Sequence, residues 1–428
     1  MRAILRIAAA ACLLLATLAG AAETQVLRHH VPPGLANLLS TGRLPGSTQL
    51  KLAIVLPLRN APALTNLLQQ IYDPASPNYR RYIEPAEFAR RFGPAEADYQ
   101  AVVAFAQARG LIVTATRPTR TIVDVSGSVD SIEKAFHVAL RTYLRPGENR
   151  TVFAPDTEPS LELTTKVLRV SGLDNYLAPR PLYRKEPPNR SLTGAVPQLG
   201  SAPGGAYMGK DFRAAYVPGL ALTGTGQSVA LLEFDGFFPQ DIAAYRSAAG
   251  LPNVPVKTVL LDGMNGSPGG ANVEVALDID MATSMAPGLS SIVVYEGAIT
   301  DDILDRIATD NLARQISSSW TYYVDEGSEQ IFLQYAAQGQ TFFNASGDGD
   351  AEIGGIYPPS DDPNITSVGG TTLTTASPGG AWRSETVWNW GYDIGEGSSG
   401  GVSTNYPIPS WQQGVSMTAN KGSTLWRN

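Results

Sequence analysis

Glu274 and Asp278 stand four residues apart in Val273-Glu274-Val275-Ala276-Leu277-Asp278-Ile279, a run that is otherwise apolar. On a helix such a pair shares one face, and a helix this apolar is predicted to be buried nearly all round. Two carboxyls side by side without water cannot both ionise cheaply. They share a proton and titrate apart, which makes one of them a candidate general base. The competing reading is a solvated acidic face, a common pattern. A second constellation is Ala345-Ser346-Gly347-Asp348-Gly349-Asp350. It follows a predicted strand at 341–345, where α/β sheets place their ligand loops, although Asp348 and Asp350 also suit a plain turn or a cation.

Gly397-Ser398-Ser399-Gly400-Gly401 has the Gly-x-Ser-x-Gly form of a nucleophile elbow, with Ser399 as the nucleophile. That arrangement needs a histidine after the serine. The chain has three histidines, His29, His30 and His137, and one cysteine, Cys12. A Ser–His–Asp triad, a Cys–His pair and a Cys/His zinc cluster are therefore excluded from the C-terminal two-thirds. Chemistry there falls to carboxylates, hydroxyls or a cofactor. Gly224-Thr225-Gly226 lacks the Lys-Ser/Thr of a phosphate loop. His137, between Phe136 and Val138, reads as a satisfied core histidine.

The elements that must position these residues fall into two units. Residues 1–22 read as a secretory signal, with Arg2 and Arg6 before an apolar run and Ala19-Gly20-Ala21 for cleavage. Residues 23–178 follow as strand 50–57, helices 61–73 and 95–109, strands 111–116 and 121–126, helix 129–136 and strand 138–143. That order predicts an α+β ferredoxin-like split βαβ sandwich. Residues 179–206, rich in Pro, Gly and Ser, form a linker, and Arg184-Lys185 within it invites nicking. Residues 207–428 alternate strands (227–234, 256–261, 291–295, 315–318, 341–345) with helices (241–250, 272–285, 301–314, 328–338), which predicts a doubly wound α/β sheet.

Composition agrees with a soluble, loop-rich globular protein: 43% apolar and 17% charged residues, 42 Gly and 31 Pro in 428. Residues 23–190 carry 21 Lys and Arg against 15 Asp and Glu, a balance of +6; residues 191–428 carry 9 against 24, a balance of −15. Opposed charge predicts that the N-terminal unit docks on the C-terminal one and loosens in acid. The acidic balance argues against a nucleic-acid partner. No stretch after the signal is long and apolar enough to span a membrane.

Four stretches together resemble the sedolisin family of serine-carboxyl peptidases, which includes kumamolisin. They are Glu274-Val275-Ala276-Leu277-Asp278; Ser317-Ser318-Ser319-Trp320, with Thr321 where glycine is usual; Ser346-Gly347-Asp348 through Tyr357-Pro358-Pro359-Ser360 and Thr366-Ser367-Val368-Gly369-Gly370-Thr371; and Ser399-Gly400-Gly401-Val402-Ser403 with Pro409-Ser410-Trp411-Gln412. Residues 28–180 resemble the family's activation domain. The resemblance implies a subtilisin-like parallel sheet, incomplete at the C-terminus, behind an inhibitory propeptide. It implies Glu274 as general base, Asp278 as its orienter and Asp348 as a protonated oxyanion donor, with Ser319 and Trp320 lining the substrate cleft. A carboxylate base with a pKa near 4 would work in acid, where histidine is protonated.

The family's nucleophile lies in a Gly-Thr-Ser segment, and none occurs in these 428 residues. The calcium site of complete members is also expected to be missing. The resemblance therefore implies a secreted acid endopeptidase precursor, here without its nucleophile, acting on proteins or peptides and held by its own propeptide. Ser399 is the fallback nucleophile. A non-catalytic exported pseudopeptidase that holds peptides or a partner in its cleft is the alternative.

Overall fold

A computed structural model describes residues 24–427 except 146–147, 149, 184–199, 353–354, 392–394, 417 and 419–424. The predicted signal, with Cys12, and Arg184-Lys185 of the linker lie outside the described residues.

The N-terminal unit runs β1 (Ser40–Arg43), β2 (Gln49–Val55), α1 (Ala61–Tyr72), α2 (Pro85–Arg91), α3 (Glu96–Ala108), β3 (Ile112–Thr116), β4 (Ile122–Ser128), α4 (Val129–Phe136), β5 (Leu140–Arg145), β6 (Arg150–Pro155) and β7 (Arg169–Ser171). Its main sheet has the order β3-β4-β2-β7, antiparallel throughout. The expected fourth strand at 138–143 does form as β5, but it pairs with β1 and β6 in a separate three-stranded sheet. The place beside β2 goes to β7, about thirty residues later, because an edge is won by long-range pairing that local sequence does not encode. His137 is no core residue. It ends α4 with a left-handed backbone (φ 54°), is exposed, and its Nδ1 meets Ser160 Oγ at 3.1 Å.

Strand β2 serves two cores. Successive strand side chains point to opposite faces: Leu52, Ile54 and Leu56 pack inside the N-terminal unit, while Ala53 and Val55 join the C-terminal core. The second face is covered by α8 (Thr300–Asp310) and α9 (Glu326–Gln338) of the C-terminal unit.

The C-terminal unit adds α5 (Gly209–Tyr216), β8 (Ser228–Glu233), α6 (Pro239–Ala249), β9 (Val256–Leu260), α7 (Asn272–Met285), β10 (Ser291–Glu296), β11 (Gln315–Ser318), β12 (Thr341–Ala345) and β13 (Thr366–Val368). These strands form a parallel sheet of order β9-β10-β8-β11-β12-β13. Strand β10 is buried along its whole length, as a parallel strand covered on both faces must be. Helices α5, α6 and α7 pack on one another, and α8 packs on α9, giving two separate helical layers. Helix α8 stops earlier than the predicted 314 because Asn311 takes a left-handed backbone (φ 47°) at its C-cap. Helices α2 and α5, seven and eight residues long, escape a periodicity search because neither completes three turns.

Candidate active site

The winding order of the parallel sheet switches between β8 and β11, and ligands in open α/β sheets bind beyond the carboxyl ends of strands at such a point. Strand β8 ends there in Glu233 and β11 leads there into Ser319 and Trp320. Helix α7 returns antiparallel to the strands, so its first turns overhang the same end. Asp235, two residues past Glu233, fixes that start: its carboxylate accepts from Gly269 N (2.6 Å) and Ala271 N (2.8 Å). Glu274 is then held one turn into α7, 2% exposed. The helix is not apolar-buried all round, since Val273 and Leu277 are exposed; Glu274 faces inward because its side is the buried one.

Four carboxyls converge. Asp278 Oδ1 accepts from Ser319 Oγ (2.8 Å), and Glu233 Oε2 accepts from Trp320 Nε1 (2.7 Å). The Glu233 and Asp278 carboxyls meet at hydrogen-bonding range, Asp278 adjoins Glu274, and the charge of Asp348 reaches Glu274. The three predicted catalytic residues are thus brought together, with Ser319 and Trp320 beside them. The side chains of Ser319 and Trp320 hold the carboxyl network. Glu233 was missed by sequence reasoning, and the one available signal is a lone acid closing the apolar run Val229-Ala230-Leu231-Leu232.

Burial first, then the charges of Asp278 and Asp348, push Glu274 up to about 9. Burial likewise raises Asp278 to about 6, against the pull of the Ser319 hydroxyl, and lifts Glu233 well above its ordinary value. A base titrating near 4 is therefore not what the covered site contains: at neutral pH Glu274 holds its proton.

The site is covered by the chain itself. Arg180 and Pro181 pair antiparallel with Thr321 and Trp320, and Leu182 N donates to Ser319 O (2.7 Å). A cleft of about 370 Å³ beside this strand is lined by Pro179, Pro181, Phe234, Met264, Ala271 and Trp320, among others. Ser399 sits on the Asp348 loop, 6% exposed, with Oγ donating to Glu352 Oε1 (3.1 Å). Among the described residues no group of three or more His, Cys, Asp or Glu side chains is placed to hold a metal ion.

Residues 36–176 match the family model described as "Pro-kumamolisin, activation domain". Kumamolisin of Bacillus sp. (strain MN-32) is 30% identical over 427 residues, covering 94% of this chain and 76% of that protein. Sedolisin of Pseudomonas sp. (strain 101) is 27% identical, covering 86% of this chain and 68% of that one. Xanthomonalisin of Xanthomonas sp. (strain T-22) is 28% identical over 87% of this chain and 52% of its own. Among solved structures, Pseudomonas sedolisin complexed with two molecules of pseudo-iodotyrostatin aligns with a TM-score of 0.46 at 26% identity, covering 52% of this chain and 68% of that one.

Proposed function

Because the chain belongs to the sedolisin family of serine-carboxyl peptidases, we propose that it is the precursor of a secreted, acid-acting endopeptidase with Glu274 as general base. Asp278 orients Glu274 and shares its proton, Glu233 and Trp320 extend that network, and Asp348 donates to the oxyanion of the scissile carbonyl. The observation that carries the reading is the convergence of Glu274, Asp278 and Asp348 at the point where the strand order of a parallel sheet switches, with a segment of the same chain laid over them. The strand order β3-β4-β2-β7 supports a ferredoxin-like propeptide, and the parallel order β9-β10-β8-β11-β12-β13 supports a subtilisin-like peptidase unit.

Raised carboxyl pKa values fit work in acid. A protonated acid can donate to an oxyanion, and a proton-sharing pair supplies one carboxylate at a time. In the docked state Glu274 is protonated, so the base is silent until residues 179–183 leave and water lowers its pKa.

The test is hydrolysis of a protein substrate at pH 3–5 by a polypeptide that also carries a Gly-Thr-Ser segment, lost on Glu274→Gln and on Asp348→Asn. No Gly-Thr-Ser occurs in these 428 residues, so the expected result for this polypeptide is no turnover. Turnover by it that Glu274→Ala abolishes would place a nucleophile within these residues. The antiparallel seating of 180–182 along 319–321 favours one second reading, a pseudopeptidase that holds extended peptides without cleaving them. Saturable peptide binding with no hydrolysis at any pH, also by a polypeptide that carries a Gly-Thr-Ser segment, would favour it.

A further inference from the structure

Ser399 grips the chain on both sides of Asp348. Its backbone N–H donates to Gly347 O (2.8 Å), and its Oγ accepts from Gly349 N (2.9 Å). Gly397 N donates to the carbonyl of Asp348 itself (3.3 Å). The hydroxyl proton of Ser399 goes to Glu352 Oε1 (3.1 Å), a carboxyl that burial raises and this hydrogen bond lowers. Both roles of the hydroxyl are therefore taken.

The loop needs such a clamp. The pairing of strand Gly349–Glu352 with Gly397–Pro407 shifts register between Gly349 and Ala351, so regular ladder bonds do not fix the residues next to Asp348. Two residues flanking it have left-handed-side backbone, Gly347 at φ 113° and Asp350 at φ 63°. At Gly347 the absence of a side chain is required, because a Cβ would stand 2.9 Å from Ser399 Oγ and from Tyr357 Cδ2. Strained backbone persists where surrounding contacts over-determine it, and here Ser399 supplies several of them, with Asn389 Nδ2 donating to Asp350 Oδ1 (2.9 Å) beside it.

We propose that Ser399, itself oriented by Glu352, is the positioning residue that aims Asp348 at the carboxyl site, and that it is not a nucleophile. Acylation of Oγ would abolish its hydrogen bond to Glu352 and release Gly349 N–H, and Ser399 is buried, 6% exposed. The inference rests on the reading of Asp348 as the oxyanion donor, a role it fills when protonated; when ionised its charge reaches Glu274.

The test is a carboxyl carbon-13 NMR titration of the full chain, with Glu274 assigned through Glu274→Gln. Asp348→Asn sets the scale by removing that charge, and Glu274 should then titrate lower, by about half a unit or more. Ser399→Ala should reproduce much of that fall as Asp348 drifts, and Ser399→Thr, which keeps a hydroxyl, should restore it. Glu352→Leu should give the same fall with Ser399 intact, and it serves if Ser399→Ala does not fold. With Asp348 charged where Glu274 titrates, no shift with Asp348→Asn would mean that Asp348 lies out of reach of Glu274, which would sink the donor reading and this inference with it. A shift with Asp348→Asn but none with Ser399→Ala or Glu352→Leu would sink this inference alone. Covalent labelling of Ser399 by a fluorophosphonate, under conditions where Ser398 and Ser403 stay unlabelled, would also overturn it.

Discussion

His30 is 2% exposed, and its Nε2 accepts from Val170 N (3.1 Å), so the ring is neutral with Nδ1 donating to Arg28 O (3.0 Å). Burial, then the nearby positive charge of Arg169, pushes it down to about 3. Arg28 O and Leu27 O oppose that shift, while His29 adds to it, and Glu158 receives the backbone N–H groups of His29 and His30. The sign follows directly. The unfolded state binds the proton below about 6.5 and the folded state does not, so stability is full above that value and lost as pH falls towards 3. The loss is about 3 kcal/mol by pH 4. A proton on Nε2 would also face Val170 N–H, which lies between two residues bonded to the C-terminal unit: Arg169 pairs with Asp325, and Ser171 Oγ donates to Asp301 (2.6 Å). His30→Gln is expected to flatten the fall in melting temperature of the N-terminal unit between pH 7 and pH 4. A wild-type melting temperature that does not change over that range would count against it.

At the scale of elements, α9 is the part on which the N-terminal unit rests. Gln330 clamps the end of β2 with Oε1 accepting from Leu58 N (3.0 Å) and Nε2 donating to Leu56 O (2.9 Å). Ile83 N donates to Ala337 O, and Leu64, Phe88 and Phe92 close around Ala337. The helix start is fixed by Asp325, which caps Gly327 N (2.7 Å) while pairing with Arg169. Gln330→Ala leaves a buried donor and a buried acceptor unpaired, so it should cost about 1–3 kcal/mol, read as a lowered urea midpoint. Gln330→Leu, which fills the space without pairing, should recover little of it.

Across the whole molecule, the +6 and −15 units do meet through opposite charges. Arg117, on the β3–β4 turn, reaches Asp124 (3.0 Å), Asp305 (3.2 Å) and Asp302, and Thr121 Oγ1 donates to Asp305 (2.6 Å). The expected effect of acid is nevertheless reversed at these carboxyls. Burial outweighs the arginines and raises Asp124 and Asp325 to about 7. A carboxyl that binds its proton more tightly when docked stabilises docking fully below the free value, near 4, and loses that contribution as pH rises through 7. Acid thus tightens this contact, whereas His30 is a group that acid destabilises. Asp124→Asn with Asp325→Asn should reduce the gain in docking stability seen between pH 7 and pH 5. Arg117→Leu should weaken docking by about 3–5 kcal/mol, because it strands three buried carboxyls, measured as an earlier urea transition at pH 7.5. Cutting the chain after Leu182 and washing off residues 24–182 should lower the titration of Glu274 from about 9 as water enters.

By itself the sequence determined that catalysis could not use histidine or cysteine beyond residue 137, that Glu274 and Asp278 share a helix face, and that an alternating α/β unit follows an α+β one. Those are local properties, fixed by residue type and by periods of 3.6 and 2. Only the tertiary structure decided that Glu233 joins them, that the charge of Asp348 reaches Glu274, that β7 rather than β5 completes the first sheet, and that 180–182 lies along 319–321. Each depends on residues far apart in the chain. It also decided the sign of the titrations, because a pKa is set by burial and by the charges that folding brings near, and composition counts charges without saying which ones lose their water.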